Sequence, residues 1–170
     1  MEHDNRTIRK YATVFRQAVE IAFKDGCFDH DIVMKDFPKC CCGDTADLIG
    51  EFLVSNGFDN LWHVCGNHYP ATGDEEEDFQ GKQSHAWISI GDPYDEYSVI
   101  VDITGDQFKD DLEYGYHDVP VYVGKRNKFY RLFEVYDRDV REFHGITDYD
   151  IGTQSRLFKL YEMIIDRIEW

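Results

Sequence analysis

The chain has 170 residues, enough for one domain with a sizeable core, and its hydrophobic fraction of 42% and aromatic fraction of 15% exclude a disordered chain. Lysine and arginine number 18 against 34 aspartate and glutamate residues, so the formal charge is −16. An acidic chain of this kind repels phosphate backbones and anionic membrane surfaces, which argues against nucleic acid as a partner. A basic protein or peptide is electrostatically easier to bind, although acidity by itself commonly serves solubility.

No apolar run reaches membrane-spanning length, and the N-terminal segment MEHDNRTIRKYA lacks the apolar stretch of a secretory signal. We therefore expect a cytoplasmic protein with no membrane partner. Five cysteines, an odd number with three adjacent in KCCCGD, do not fit a disulfide framework. A reduced compartment is the better expectation, and there a thiol remains available as a nucleophile.

The first predicted element is a helix over residues 6–26. Apolar side chains recur there at helical spacing, and Gly26 suits the end of the helix. These side chains are Ile8, Tyr11, Ala12, Phe15, Ala18, Val19 and Ala22. We expect most of them to lie in the core, and we assign no chemistry to this helix.

A second helix is predicted after Pro38, in the segment CGDTADLIGEFLVSNGF. Its apolar stripe consists of Cys42, Ala46, Ile49 and Leu53. These four residues lie on one face at helical spacing, so this face should pack on the rest of the fold. Gly57 stands where a C-terminal cap is expected.

The rest of the chain is predicted to contain strands, loops and helices. NLWHVCG has the character of a strand, and the polar segment NHYPATGDEEEDFQGKQ after it is a loop of about 17 residues. Residues 119–170 are expected to contain a strand, VYVGK, and closing helices in RLFEVYDRDVREF and TQSRLFKLYEMIIDRIEW. With no repeat and no linker in the sequence, we predict a single α+β domain over residues 1–170.

The segment SHAWISIGDPYDEYSVIVDIT predicts a hairpin that carries two unexpected polar residues, His85 and Asp102. A four-residue turn at Asp92–Asp95 would place them directly opposite each other, with Cβ atoms about 5 Å apart. The apolar core face of this hairpin would consist of Ala86, Ile88, Ile90, Val99, Val101 and Ile103. The other face is mixed, so it either lines a site or is a solvated face with an incidental His–Asp pair.

A His–Asp pair in a cleft usually orients a nucleophile, and KCCCGD supplies three thiols. A cysteine at a helix N-terminus has a stabilised thiolate, because free N–H groups and the positive end of the helix dipole lie near it. Cys42 continues the apolar face of the second helix, whereas Cys40 falls on the solvent face and Cys41 lies between them. Cys42 is therefore the predicted nucleophile, with Cys41 as the alternative.

The order Cys42, His85, Asp102 resembles the transglutaminase-like branch of the papain-like superfamily. In that family the nucleophile opens a helix with an alanine four residues later, as in CGDTA. The family histidine opens a strand with an apolar or aromatic continuation, as in HAWISI, and its aspartate lies on the neighbouring strand, as in VIVDIT. The match covers residues 37–108, the catalytic core. It implies an α+β papain-like fold in which the nucleophile helix packs on an antiparallel sheet.

The resemblance also implies a Cys–His–Asp triad that needs no cofactor. Cys42 would attack a carbonyl carbon, and His85 would hold the thiol proton and later pass it to the leaving amine. Asp102 would fix the imidazole tautomer, and the Cys42 backbone N–H would donate one oxyanion hydrogen bond. No glutamine stands at the papain-like position before Cys42. The remaining candidates for oxyanion or substrate contacts are Trp62, Tyr69, Trp87 and Gln107.

These features favour a thiol-dependent amide hydrolase, either a cysteine peptidase or a deamidase. Its substrate would be a protein or peptide, with a basic one suited to the acidic chain. A transglutaminase or another acyltransferase has the same triad and differs in whether water or an amine resolves the thioester. A third hypothesis is an inactive papain-like module that binds a basic protein partner.

A metal site is the main alternative use of the cysteines and histidines. HVCGNH contributes His63, Cys65 and His68, to which a thiolate from KCCCGD could be added to bind zinc. The sequence contains no Cys-x-x-Cys pair, and a cysteine on a strand is commonly a small buried hydrophobe, so we expect no metal. The acidic segment GDEEEDFQ lacks the spacing of an EF-hand calcium loop.

Residues 74–78, DEEED, lead directly into the strand that carries His85. Their mutual repulsion predicts an extended loop. Such a loop is a lid over the cleft, a guide for a cationic substrate or a solubilising insertion.

Overall fold

The computed structural model describes residues 4–69 and 83–170 and has an α+β architecture. The described residues form three α-helices, which are α1 (Asn5–Lys24), α2 (Cys42–Ser55) and α3 (Ile151–Ile165). They also form five strands, which are β1 (Leu61–His68), β2 (Gln83–Ile90), β3 (Val99–Asp102), β4 (Tyr122–Gly124) and β5 (Glu134–Phe143). These strands make one antiparallel sheet in the order β4-β3-β2-β1-β5.

Local capping defines the ends of α1. Asp4 is the N-cap residue, and its carboxylate accepts a hydrogen bond from the N–H of Arg6. Gly26 follows the helix with a φ of +76°, a left-handed conformation that glycine adopts without strain. The helix predicted over residues 6–26 is therefore confirmed, with its ends shifted by one or two residues. Its predicted stripe is buried, apart from Tyr11, which is only partly buried.

The second helix, α2, begins at the predicted nucleophile. Cys42 is its first residue, and Gly57, with a φ of +83°, lies just beyond its C-terminal cap Asn56. Its buried stripe includes Ala46, Ile49 and Leu53, as predicted. This stripe packs on β1 and β2, so the helix that carries Cys42 lies on an antiparallel sheet.

The two faces of the sheet are covered differently. One face packs on the three helices, and the side chains of β2 and β3 in this core are Ala86, Ile88, Ile90, Val99, Val101 and Ile103. The opposite face carries a second group of buried rings, which we name the aromatic cluster. It consists of Trp87, Phe108, Tyr114, Phe129, Tyr130 and Phe133. Alternation along β2 therefore directs one set of side chains to the helices and the other to the aromatic cluster.

The predicted register of the β2–β3 hairpin is wrong by two residues. The ladder ends with Ile90 paired to Val99, so residues 91–98 form the connection instead of a four-residue turn. Two aspartates explain the longer connection, because their side chains accept the N–H groups of Tyr94 and Tyr97 and stabilise two successive turns. A shift of two residues keeps every side chain on its predicted face, because the pleat has a period of two.

The segment RLFEVYDRDVREF does not form the closing helix that was predicted. Most of it is β5, which pairs with β1 at the edge of the sheet. This pairing satisfies backbone groups of β1, and that tertiary gain outweighs the weak strand preference of the charged residues. Val135 and Val140 pack against the aromatic cluster from this strand. The strand predicted in VYVGK is confirmed as β4.

The last helix, α3, begins after Asp150, whose carboxylate accepts hydrogen bonds from the N–H groups of Gly152 and Thr153. It packs on α1 through Leu157, Leu160 and Ile164. The helix predicted in TQSRLFKLYEMIIDRIEW is thereby confirmed. Within residues 4–69 and 83–170, no helix combines the length and the apolar character that crossing a bilayer requires.

Candidate active site

Cys42 lies beside the edge of the sheet where α2 begins. Within β2, only residues 88–90 pair with β3, so Ala86 belongs to the part of β2 beyond that ladder. There the backbone of Ala86 and the imidazole of His85 lie close enough to the Cys42 sulfur to lower the pKa of its thiol. Cys42 is partly exposed, so a small reagent can reach it.

His85 is fully buried and connects the thiol with Asp102. Its Nε2 lies 2.7 Å from Asp102 Oδ2, and its interaction with Cys42 contributes to raising the imidazole pKa. The prediction that His85 and Asp102 lie directly opposite each other is wrong, because the ladder is shifted by two residues. They are diagonal neighbours on one face, about 7–8 Å apart at Cα, and an imidazole and a carboxylate together span that distance.

The carboxylate of Asp102 is surrounded by donors. Besides His85, Oδ2 accepts a hydrogen bond from the Tyr130 hydroxyl at 2.8 Å. Oδ1 accepts from the Thr104 N–H at 2.8 Å and from the Thr104 hydroxyl at 3.2 Å. Burial alone would raise the pKa of Asp102, but His85 and these donors hold it below its ordinary value. Asp102 therefore stays ionised and keeps the Nε2 proton of His85 directed at itself.

The thiol and the imidazole shift each other's pKa in opposite directions. Burial opposes a charge on Cys42, yet the hydrogen bond and charge of His85, with the hydrogen bond from Ala86, lower the thiol pKa. Burial also opposes a charge on His85, but Asp102 and Cys42 outweigh it and raise the imidazole pKa. The two shifts act in the same sense, because each favours the thiolate–imidazolium pair relative to the neutral pair.

The other two cysteines of KCCCGD have different environments. Cys41, the alternative nucleophile, is buried, and burial raises the pKa of its thiol to about 12. The hydroxyl of Thr45 lies 3.7 Å from its sulfur. Cys40 is exposed and has a φ of +59°. Cys41 therefore remains a thiol, and Cys42 is the cysteine that interacts with His85.

Of the four predicted oxyanion or substrate candidates, Gln107 lies beside the catalytic nitrogen. Its Nε2 is 3.2 Å from His85 Nδ1 and donates a hydrogen bond to the Thr104 carbonyl at 3.1 Å. The contact with the Thr104 carbonyl shows that this end of the Gln107 amide is its nitrogen, because a carbonyl oxygen accepts hydrogen bonds and cannot donate them. Gln107 thus presents an N–H group on the side of the imidazole that faces the thiol.

A buried ion pair fixes the segment that carries Gln107. This segment is the short 3-10 helix Gly105–Gln107, and its Asp106 pairs with Arg16 of α1 at 2.8 Å. Arg16 also donates a hydrogen bond to the Ile103 carbonyl at 2.5 Å. α1, to which no chemistry was assigned, thus anchors the loop that supports the site.

Trp87 was predicted to contact substrate, but it is buried in the aromatic cluster. Only 3% of its surface is exposed, and its ring lies 5.3 Å from Tyr130 and 6.3 Å from Phe133, centroid to centroid. Its contact with His85, at 5.9 Å between ring centroids, supports the imidazole from behind.

Trp62 lies away from His85, and Tyr69 lies just beyond the end of β1. Trp62 is near the start of β1, where its indole N–H binds Asn60. His85 pairs with Gly66 of that strand, which puts Trp62 about 13 Å away along it. Tyr69 follows β1 and interacts electrostatically with Tyr136 of β5.

The histidines of the alternative zinc hypothesis lie apart. His68 contacts the Leu132 carbonyl and Glu113, each at 2.9 Å, whereas His63 lies 3.7 Å from Asp47. In the part of the chain that the structure describes, no group of three or more His, Cys, Asp or Glu side chains can hold a metal ion. The acidic residues 74–78 lie outside the described residues.

A cleft of about 370 Å³ is lined by residues that neighbour the imidazole and the thiol. It is lined by Lys39, Cys40, Gln83, Gln107, Phe108, Asp110, Asp111 and Leu112. Gln107 contacts His85, and Cys40 stands two residues before Cys42, so the cleft leads to the reactive pair. Two carboxylates and one lysine give its walls a net negative charge.

Sequence reasoning missed three residues that support the site. Thr104 could have been found, because an aspartate often accepts the N–H two residues later, as Asp102 does. Arg16 also carried a signal, since it is a charged residue beside the apolar stripe of α1. Tyr130 carried no local signal, because its contact with Asp102 joins segments 28 residues apart.

Comparison with known proteins places this chain in no family. No family model matches it, and no curated protein and no solved structure gives a significant match. The function must therefore be argued from the geometry of Cys42, His85 and Asp102.

Proposed function

We propose that the protein is a thiol-dependent amide hydrolase with a transglutaminase-like, papain-like fold. The observation that carries the proposal is the buried His85–Asp102 hydrogen bond, together with a Cys42 thiol whose pKa the same imidazole lowers. A thiol, an imidazole and a buried carboxylate in this order form a nucleophile, its base and the group that orients the base. The position of Cys42 at the start of a helix that packs on the sheet supports the resemblance in fold.

The first chemical step is attack on the carbonyl carbon of an amide. The Cys42 proton resides on Nδ1 of His85, and the thiolate sulfur forms a bond to the carbonyl carbon. His85 then passes this proton to the leaving amine, whose bond to carbon breaks, and a thioester remains on Cys42. Asp102 keeps the Nε2 proton and stabilises the imidazolium throughout. Water finally resolves the thioester, with His85 acting as the base.

Two N–H groups are suited to the oxyanion of this reaction. The backbone N–H of Cys42 belongs to the first turn of α2, where N–H groups have no partner within the helix. The amide N–H of Gln107 lies beside Nδ1 of His85, on the side that faces the thiol. Loss of one such donor typically costs about a hundredfold or more in kcat.

The proposal is tested by alkylation of the wild-type protein and of His85→Ala with iodoacetamide across a pH series. In the wild type, modification of Cys42 should proceed well below the ordinary thiol pKa of about 8.5, because His85 stabilises the thiolate. His85→Ala removes this stabilisation, so the rate at neutral pH should fall about tenfold or more and the profile should move to higher pH. Peptide mass spectrometry assigns the adduct to individual cysteines.

Cys40 is the internal control of this experiment. It is exposed and lies in the same segment, so its alkylation should be the same in both proteins. A Cys42 that reacts slowly, with an ordinary pH profile unaffected by His85→Ala, would contradict the proposal. That result would favour a binding module of the same fold.

Turnover is measured on basic proteins and peptides by intact mass. Fragments indicate a peptidase, the replacement of an amide NH₂ by OH indicates a deamidase, and an amine adduct indicates acyl transfer. Cys42→Ala should abolish turnover, His85→Ala should be nearly as severe and Asp102→Asn should be milder but still large. Full activity of Cys42→Ala together with loss in Cys41→Ala would show that the wrong thiol has been chosen.

A further inference from the structure

A second cavity, of about 570 Å³, adjoins the cleft. It is lined by Leu112, Glu113, Tyr114, Gly115, His117, Asn127, Lys128, Phe129 and Leu132. Leu112 lines both spaces, so the cavity and the cleft meet at this residue. The volume lies within the range of about 300–1,000 Å³ that is usual for pockets that bind small molecules and side chains.

Three rings, those of Tyr114, His117 and Phe129, line this cavity. Tyr114 and Phe129 belong to the aromatic cluster, and the His117 ring stacks on Phe129 with centroids 3.6 Å apart and planes inclined by 5°. Among the described residues of the lining, the two charged ones, Glu113 and Lys128, are of opposite sign and exposed, so this part of the wall carries no net charge to select an ion. Flat rings and no net charge fit an aromatic side chain.

One layer of rings separates the cavity from the catalytic imidazole. The Phe108 ring lies 4.4 Å from Tyr114 and 5.1 Å from His85, centroid to centroid. Phe129 lies 6.0 Å from His85. An extended peptide advances about 3.3 Å per residue, so a residue next to the attacked amide, or one further along, reaches the cavity.

We propose that this cavity is a specificity pocket that binds an aromatic side chain of a peptide substrate beside the acyl group attacked by Cys42. The inference rests on the proposed function, because it assigns the pocket to the substrate of that reaction. The pocket is built from residues 112–117 and 127–132, which lie outside the stretch 37–108 that carries the family resemblance.

The test uses acetyl-dipeptidyl chloromethyl ketones of the form X-Gly and Gly-X, in which X is Phe, Ala or Lys. The Cys42 thiolate forms a sulfur–carbon bond to the chloromethyl carbon, and chloride leaves, so the rate of mass increase reports binding beside the nucleophile. In one of the two series, Phe should react about tenfold or more faster than Ala, because it buries an aromatic ring. Each rate is divided by the rate with iodoacetamide, which carries no side chain to bind.

Two variants change the pocket, and one serves as a control. Leu132→Trp fills the cavity and should bring the Phe/Ala rate ratio close to one. Leu112→Ala, at an exposed position that carries little risk for folding, removes part of the wall and should lower the ratio severalfold. Ile32→Ala changes an equally exposed apolar residue that does not line the cavity, so the ratio should stay at the wild-type value.

The outcomes separate the pocket from the proposed function. A Phe preference that the two pocket variants remove supports the inference. Equal rates for all peptides, or a preference for Lys, overturns the pocket inference. If iodoacetamide alkylation of Cys42 is nevertheless rapid and depends on His85, the hydrolase proposal still stands. Slow alkylation that does not depend on His85 overturns both.

Discussion

At the scale of single residues, the buried carboxylate of Asp102 shows how the site is held together. It accepts hydrogen bonds from the imidazole, from Tyr130 and from two groups of Thr104. A buried charge is tolerated only when such donors replace the water that it has lost. The same donors keep the His85 ring in a single orientation toward the thiol.

Tyr130→Phe removes one of these donors and should destabilise the protein by about 1.5–3 kcal/mol at pH 7, the usual contribution of a hydrogen bond to a charged group. The pKa of Asp102 is lowered in the folded state, so its stabilising effect is present above the unfolded pKa of about 3.9. That effect disappears as the pH falls through the folded pKa. The difference in free energy of unfolding between Tyr130→Phe and the wild type should therefore be smaller at acid pH than at pH 7. Urea unfolding of both proteins at each pH measures this difference.

Tyr94→Phe is the matched control for this prediction. The Tyr94 hydroxyl also donates to a carboxylate, that of Asp137, but at an exposed position. Its removal should change the free energy of unfolding by less than about 0.5 kcal/mol. If Tyr130→Phe and Tyr94→Phe lowered the free energy of unfolding equally, burial of Asp102 would not strengthen its hydrogen bonds.

At the scale of elements, the site depends on contacts between segments that are distant in the chain. β3 leaves the sheet after Asp102, and the 3-10 helix that follows brings Gln107 back to the imidazole. Arg16 of α1 holds this helix by its ion pair with Asp106 and by its hydrogen bond to the Ile103 carbonyl. The position of Gln107 is thus set through Asp106 by Arg16, a residue 90 positions before Asp106 in the chain.

Arg16→Ala should destabilise the protein by about 3–5 kcal/mol, because it leaves the Asp106 carboxylate and the Ile103 carbonyl without their partner in a largely buried place. Chemical denaturation measures the loss. Arg6→Ala removes an exposed arginine from the same helix and should cost less than about 0.5 kcal/mol. Similar stability of the two variants would mean that the ion pair does not anchor the loop.

At the scale of the whole molecule, the sheet separates two cores of different composition. The helices pack aliphatic and aromatic side chains on one face, and loops after β3 and β4 deliver the aromatic cluster to the other. His85 lies on the second face, where its ring contacts Trp87, Phe108 and Phe133. The cluster therefore excludes water from the imidazole and strengthens its interaction with Asp102.

The close approach of this cluster to β1 makes Gly66 sensitive to substitution. A Cβ at Gly66 would lie 2.6 Å from the Phe133 Cβ and 2.9 Å from the Trp87 ring. Gly66→Ala should therefore cost about 1–3 kcal/mol, measured by denaturation, and should slow Cys42 alkylation because Gly66 pairs with His85. The Cβ added by Gly43→Ala, in the first turn of α2, would have no other atom within 4 Å. This variant should therefore leave the free energy of unfolding unchanged or raise it slightly. Equal stability of the two variants would contradict the packing argument.

Local patterns in the sequence were sufficient for the elements whose character depends on neighbours along the chain. Helical periodicity and capping residues predicted α1, α2 and α3 and placed Cys42 at a helix start. Strand alternation correctly assigned His85 and Asp102 to one face, because the period of two is unaffected by an even shift in register.

Only the tertiary structure decided features that depend on partners far away in the chain. The hairpin register followed from two side-chain-stabilised turns, and β5 became a strand because β1 offered it a free edge. Tyr130 reached Asp102 through a loop after β4, without a local signal. The physical reason is the same in each case. Periodicity specifies which way a side chain points, whereas hydrogen-bond partners and contacts across the sheet are chosen by the free energy of the assembled fold.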